Sequence, residues 1–186
     1  MSTETTIREV SPEDRASLTP ILERSFEGLY LWHSKKTLSE VQLVKAAYVG
    51  QELSGLIMLK NLDAHTGYVY YIAVLPQFRN RGVGGILLDH ATEHFDAGGS
   101  SAVYATVEED NAASLALFES RGFVRTGLGE MASRHGRLKA ISMMTKMYVV
   151  PGEVVLRRDS TAETARPDRK AISRSLPPTG THEPKV

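Results

Sequence analysis

Tyr71-Ile72-Ala73-Val74-Leu75-Pro76-Gln77-Phe78-Arg79-Asn80-Arg81-Gly82-Val83-Gly84-Gly85-Ile86-Leu87-Leu88 changes character twice. It begins inside a run of aromatic and aliphatic residues, Tyr68 to Leu75, long enough for a central strand. Pro76 closes the run. Ile86, Leu87, Ala91 and Phe95 then follow at helical spacing until Gly98-Gly99 stops the helix. Between strand and helix lies a turn with Arg79, Arg81, Gly82, Gly84 and Gly85. Backbone N–H groups at a helix start have no internal partner and make an anion site. Glycines let the backbone come close to a phosphate, and the arginines add charge-assisted contacts. The predicted ligand is a diphosphate. A nucleotide P-loop requires a Gly-Lys-Ser/Thr ending, which is absent. A dinucleotide fingerprint requires a third glycine where Leu87 stands and lacks the arginines. The plain alternative is a glycine-rich turn with surface arginines.

Upstream, Ile7 to Val10 reads as a short strand, and Ser11-Pro12-Glu13-Asp14 as a helix start. Leu18, Ile21, Leu22 and Phe26 continue at helical spacing, and residues 28–40 read as a loop and a short second helix. Val44 to Val49 and Leu53 to Lys60 flank a hairpin-like break at Gly50-Gln51-Glu52. Downstream, Ser101 to Val107 is a strand. Asp110 or Asn111 caps a helix carrying Leu115 and Phe118, which Gly122 ends. Phe123 to Thr126 and Ile141 to Val149 read as the last two strands. The order β-α-α-β-β-β-α-β-α-β-β is that of a mixed sheet with helices against it.

Twenty-two basic and 22 acidic residues balance, so nothing global draws this chain to nucleic acid or an anionic membrane. Cysteine is absent, which removes disulfides, thiol nucleophiles and Cys-based zinc sites and fits a reducing cytoplasm. No signal peptide is expected over Met1 to Val10, and no apolar run approaches the roughly 20 residues that span a bilayer. Five of the eight prolines lie between Pro151 and Pro184, and no Phe, Trp or Tyr follows Tyr148. With few large apolar groups to offset ordering entropy, residues 151–186 are expected to be a disordered tail, either a docking segment or a plain solvated extension, leaving a domain over 1–150.

Arg79-x-x-Gly82-x-Gly84, preceded by Ile72-Ala73-Val74 and Pro76 and followed by an apolar helix, resembles the pyrophosphate loop of the GNAT acetyltransferases. Asn111-Ala112-Ala113-Ser114-Leu115-Ala116-Leu117-Phe118-Glu119-Ser120-Arg121-Gly122-Phe123 resembles that family's later motif, in which an Asn opens a helix ending in Leu-Tyr/Phe-x-x-x-Gly-Phe. Within the family, Gly136-Arg137, Ala140-Ile141 and Met143-Met144 resemble the last hairpin of the ribosomal-protein alanine N-acetyltransferase branch. The resemblance implies an α/β (α+β) fold with a mixed, mostly antiparallel sheet of six to seven strands and about four flanking helices. It implies acetyl-coenzyme A as cosubstrate, no metal, and direct transfer to a primary amine in a ternary complex. Ile72, Ala73 and Val74 would lie along the acyl-pantetheine arm like an added strand. Arg79, Asn80, Arg81, Gly82, Val83, Gly84 and Gly85 would hold the pyrophosphate. Asn111 would sit near the arm or serve only as a helix cap, and Phe118 would stand beside the coenzyme. Homodimers through exposed strand edges are an analogy of the fold.

Acyl transfer needs a neutral amine, a polarised thioester carbonyl and a stabilised leaving thiolate. A backbone N–H near Val74 serves the second need. The family's usual tyrosine acid is Phe118 here, and the carboxylate of the alanine-acetylating branch aligns with Thr106. An α-amine with a pKa near 8 is roughly a quarter neutral at physiological pH, whereas lysine near 10.4 is about 0.1% neutral and costs roughly 4 kcal/mol to deprotonate. A site without a strong base therefore suits a protein N-terminal α-amine or a small, weakly basic amine. The alternative is a module that binds acyl-coenzyme A with little catalysis. Glu108, with Glu109 beside it, is a candidate to act through water or is a solvated loop end. Tyr70 and Tyr71 are neighbours on a strand, so alternation sends at most one to the cleft. Tyr104 and Tyr148 are later alternatives. Tyr30, Trp32 and His33 are candidates for the acceptor wall or ordinary aromatic packing. His90 and His94 flank Glu93 on one helix without a third ligand, as a solvated face does.

Overall fold

The computed structural model describes residues 4–160. Seven strands form one sheet: β1 (Thr5–Glu9), β2 (Leu43–Val49), β3 (Glu52–Asp63), β4 (Thr66–Val74), β5 (Ala102–Glu108), β6 (Val124–Thr126) and β7 (Glu153–Asp159). Their spatial order is β1-β2-β3-β4-β5-β7-β6. The β4–β5 pair is parallel and the other neighbours are antiparallel. Six α-helices accompany them among the described residues: α1 (Thr19–Glu23), α2 (Gly28–Glu40), α3 (Val83–Ala97), α4 (Ala112–Glu119), α5 (Leu128–His135) and α6 (Arg137–Met147). Short 3-10 helices precede α1 (Pro12–Leu18) and α3 (Pro76–Phe78). The mixed, mostly antiparallel sheet agrees with the sequence reading.

Alternation along β4 and β5 gives the sheet two cores. Val69, Val103 and Ala105 join α1 and the apolar face of α3 (Val83, Leu87, Leu88, Ala91, Phe95) in the larger one. Tyr68, Ala102 and Tyr104 point to the opposite face, where Met131 of α5 and Ala140, Met143 and Met147 of α6 cover them. Arg15, buried, donates to the carbonyls of Leu38 (3.3 Å), Val41 (2.8 Å) and Gln42 (3.3 Å). It thereby satisfies acceptors that the end of α2 leaves open and fixes that helix over the sheet.

β4 and β5 are hydrogen-bonded over a short stretch, Thr66–Val69 against Ala102–Ala105. Beyond it β4 continues to Val74 and β5 to Glu108, and the two part. The edge of β4 facing β5 is therefore unpaired from Tyr70 onward.

The C-terminal third corrects the sequence reading in two places. Ile141 to Val149 is not a strand. Ala140, Met143 and Met147 are buried at helical spacing on α6, and Gly136, at φ +83°, joins α5 to α6. The segment likened to a last hairpin is thus helical. The missing strand lies in the stretch assigned to the tail: β7 pairs along its whole length with β5, Ala102 opposite Asp159 through Glu108 opposite Glu153, and with β6 on its other side. Val155 and Leu156 are buried. The domain runs through Asp159 rather than ending at 150. An interior strand is held by two ladders and short aliphatic side chains, so the lack of aromatic residues did not prevent order. The remainder of the expected tail, 161–186, lies outside the described residues. No helix among the described residues is long and apolar enough to cross a membrane.

Candidate active site

Two cavities open where β4 and β5 separate. The first, about 470 Å³, lies between the ends of the two strands, α2 and the segment after α6. The second, about 450 Å³, lies between the end of β4, the start of α3 and α4. Ile72, Asn111 and Ser114 line both, so the two form one continuous cleft.

The second cavity gathers the predicted coenzyme residues. Ile72, Ala73, Val74, Arg79, Asn80, Gly82, Val83, Gly84 and Gly85 line it; Arg81 does not, its guanidinium lying 5.8 Å over the Phe78 ring. No side chain caps α3, so the N–H groups of its first turn face the cavity with the positive end of the helix dipole. Gly82 has φ +82° and nothing within 4 Å of where a Cβ would stand. Arg79 Nε donates to the Val74 carbonyl (3.1 Å), holding the loop against the end of β4. An unprotected helix start, an open glycine and an arginine at the rim fit a diphosphate. Asn111 is the cap of α4 and also faces the cleft. Its side-chain oxygen accepts from Ser114 N–H (3.0 Å) as the cap of α4, and it lines both cavities.

The first cavity is walled by rings. Met58 of β3 pairs with Tyr71 while Leu59 pairs with Val69, leaving Tyr70 as an extra residue in β4. That bulge breaks strand alternation. Tyr70 and Tyr71 both line the cavity, with ring centroids 5.4 Å apart and planes 23° from parallel. The expectation that alternation sends at most one to the cleft is therefore corrected. His33 Nδ1 is hydrogen-bonded to Tyr71 Oη (2.8 Å), and the Tyr148 ring stands 5.7 Å from it. Burial, and then nearby Lys36, lowers the His33 pKa, favouring the neutral ring. Tyr30 Oη donates to Glu153 Oε1 (3.1 Å), and Glu153 Oε2 accepts from Val150 N–H (3.1 Å). Burial raises the Tyr70 hydroxyl to about 12, with Tyr148 adding to the effect. Burial first, and then Glu153 for Tyr30 and Tyr70 for Tyr71, raises those phenols further. All three are neutral hydroxyls at physiological pH.

Glu108 lines the cavity, whereas Glu109 pairs with Arg125 outside it (3.5 Å). Thr106 Oγ1 is hydrogen-bonded to Tyr68 Oη (2.8 Å), which also donates to the Met147 carbonyl (3.2 Å). Phe118 lines the cavity and packs edge-on against Phe123 at 5.0 Å. Two candidates fall elsewhere. Tyr104 is fully buried beneath α5 and α6 with its hydroxyl on His135 Nε2 (2.9 Å), because helices now cover the face it points to. Trp32 is 61% exposed on α2, with the Lys36 ammonium 5.9 Å over its ring, and does not line the cavity. The helical period places it on the outer side of α2 while Tyr30 and His33 turn inward. Among the described residues no group of three His, Asp or Glu side chains is placed to hold a metal; His90 lies 3.9 Å from Glu93. Tyr68, Met147 and Glu153 line the cavity without having been singled out. The signal for Glu153 was the aliphatic run Val154-Val155-Leu156 after Pro151-Gly152, outweighed by the proline content of the surrounding stretch.

The seven-stranded sheet opens at its one parallel pair, and the uncapped start of α3 stands beside the opening. Residues 7–123 match the model of the Acetyltransferase (GNAT) family, and the chain belongs to that family. Its fold is similar to the ribosomal-protein-S18-alanine N-acetyltransferase of Escherichia coli (17% identity, 84% of this chain and 94% of that one, TM-score 0.62). It is also similar to the PaiA N-acetyltransferase of Thermoplasma acidophilum in complex with coenzyme A (16%, 84% and 99%, 0.64). A third similar structure is a GNAT family acetyltransferase of Elizabethkingia anophelis with acetyl-CoA bound (18%, 83% and 97%, 0.57).

Proposed function

We propose that this acetyltransferase moves an acetyl group from acetyl-coenzyme A directly to a primary amine in a ternary complex. The acceptor is a protein N-terminal α-amine or a small, weakly basic amine. The observation that carries this is the junction of the two cavities at Ile72, Asn111 and Ser114. A diphosphate held at the start of α3 leaves a pantetheine arm to run along the unpaired edge of β4, and its thioester reaches the ring-walled cavity. The coenzyme A and acetyl-coenzyme A in the Thermoplasma and Elizabethkingia structures support the donor.

The chemistry follows from the groups at hand. The amine nitrogen, once neutral, attacks the thioester carbonyl; the N–C bond forms as the C–S bond breaks. Unpaired N–H groups of β4 are placed to meet the charge that develops on the carbonyl oxygen. The proton that nitrogen loses goes to the departing sulfur. Phe118 has no proton to give, and the Thr106 hydroxyl is engaged by Tyr68, so neither supplies the usual acid or base. An amine already partly neutral near pH 7 suits such a site.

Thermal-shift titration with acetyl-coenzyme A, coenzyme A, ATP and NAD tests the donor. Stabilisation by the first two alone is expected, about 2.7 kcal/mol at a hundred times the dissociation constant. Thiol release with α-amines and with lysine side chains then tests the acceptor, and robust turnover of lysine alone would refute this assignment. Phe118 and Thr106 favour a second reading, an acyl-coenzyme A-binding module without efficient transfer. Stabilisation with no thiol release across a broad amine panel would establish it.

A further inference from the structure

β5 and β7 pair so that Glu108 stands directly opposite Glu153. Like charges facing one another across two strands destabilise a sheet. Neither carboxylate has a Lys or Arg ion-pair partner among the described residues. Both line the first cavity, as does Tyr30, whose hydroxyl donates to Glu153 and whose pKa both carboxylates help to raise. No Lys or Arg lines this cavity, whereas Arg79 lines the coenzyme side. The cleft is therefore polarised, cationic where a diphosphate fits and anionic where the acceptor enters. Stacked Tyr70 and Tyr71 form an apolar, cation-attracting wall beside the two carboxylates.

Resting on the reading of this cavity as the acceptor site, we infer that Glu108 and Glu153 select a primary ammonium on an aromatic or aliphatic body and reject an amine that carries its own carboxylate. The ammonium docks against the two glutamates with its body on Tyr70 and Tyr71, and it gives one proton to solvent through the exposed Glu108 before it attacks as the neutral amine. A free α-amino acid brings a carboxylate close to both glutamates where no Lys or Arg lines the cavity to receive it (Lys60 Nζ, 5.7 Å from the Tyr70 ring centroid, does not line it), and like-charge juxtaposition at close range is strongly unfavourable. An arylalkylamine and a peptide amino terminus share the favoured charge and body, and the terminus, with the lower amine pKa, also meets the need for a neutral nucleophile.

Three acceptors that share a phenyl body test this: phenethylamine, phenylalaninamide and phenylalanine, compared at equal concentrations of neutral amine so that their different amine pKa values do not set the ratio. Thiol release from saturating acetyl-coenzyme A is measured with the full chain, alongside thermal shift by acetyl-coenzyme A. Phenethylamine or phenylalaninamide is expected to exceed phenylalanine at least about tenfold in kcat/KM, about 1.4 kcal/mol. Use of phenylalaninamide alone identifies a peptide terminus; use of both identifies a small amine. E108Q/E153Q is expected to narrow the gap to under about threefold while acetyl-coenzyme A stabilises it as it does the parent; this ratio is one that a merely structural role would not move. E108Q alone, at an exposed strand end, is expected to narrow the gap at least about twofold and serves if the double variant does not fold. Equal or better use of phenylalanine, a gap that survives in the folded variants, or no turnover of any of the three by a protein that acetyl-coenzyme A stabilises overturns the inference. Absence of that stabilisation overturns the underlying reading, and this inference with it.

Discussion

Gly82 and Arg79 serve the same turn by different means. Gly82 is required for its backbone: at φ +82° a side chain is strained even though the space around it is open. Gly82→Ala is expected to cost about 1–2 kcal/mol of stability in denaturant titration. Arg79 contributes charge at the cavity rim, and Arg79→Ala is expected to raise the acetyl-coenzyme A KM about tenfold with little change in the acceptor KM, by steady-state kinetics. The turn that holds both residues was legible in the sequence because a glycine-rich strand-to-helix turn is a local device whose parts are adjacent in the chain. Tyr68 was not, because its worth lies in partners far away, Thr106 and the Met147 carbonyl. Tyr68→Phe leaves that carbonyl without its donor in a buried place and is expected to destabilise by about 1–3 kcal/mol, again read by denaturant titration.

Elements were legible where their period was clean. The strand Tyr68 to Leu75 and the helix that follows appear as β4 and α3, and residues 28–40 form one helix, α2, rather than a loop and a short helix. Alternation failed at Tyr70, since one extra residue in β4 turns two consecutive rings into one cavity. Nothing in Tyr70-Tyr71 itself signals a bulge; it exists in the register with β3. Residues 141–149 misled for a related reason. Their apolar positions fit a short strand as well as a helix, and the buried face emerges only against Tyr68 and Tyr104. Met143→Ala, which empties the centre of that contact, is expected to lower stability by about 2–4 kcal/mol in the same titration.

At the scale of the whole molecule, pH acts through three histidines. His33, His94 and His135 all have pKa values lowered chiefly by burial. A lowered histidine pKa means the unfolded chain binds more protons, so stability is full above the unfolded value of about 6.5 and declines as pH falls below it. The melting temperature is expected to fall between pH 7.5 and 5.5 in a differential scanning measurement. A chain ending at Val150 lacks β7 and is expected not to fold by circular dichroism, whereas one ending at Ser160 retains every described element and is expected to bind acetyl-coenzyme A. The order of the strands also bears on synthesis. β7 is the last described strand to leave the ribosome, yet it sits between β5 and β6. About fifty residues separate the ends of β5 and β7, so at 5–20 residues per second β5 waits roughly 3–10 s for its partner. Throughout that interval the nascent chain presents the open edge of β5, a row of unsatisfied backbone groups beside an aromatic hollow, which makes it a target for chaperones until translation passes Asp159.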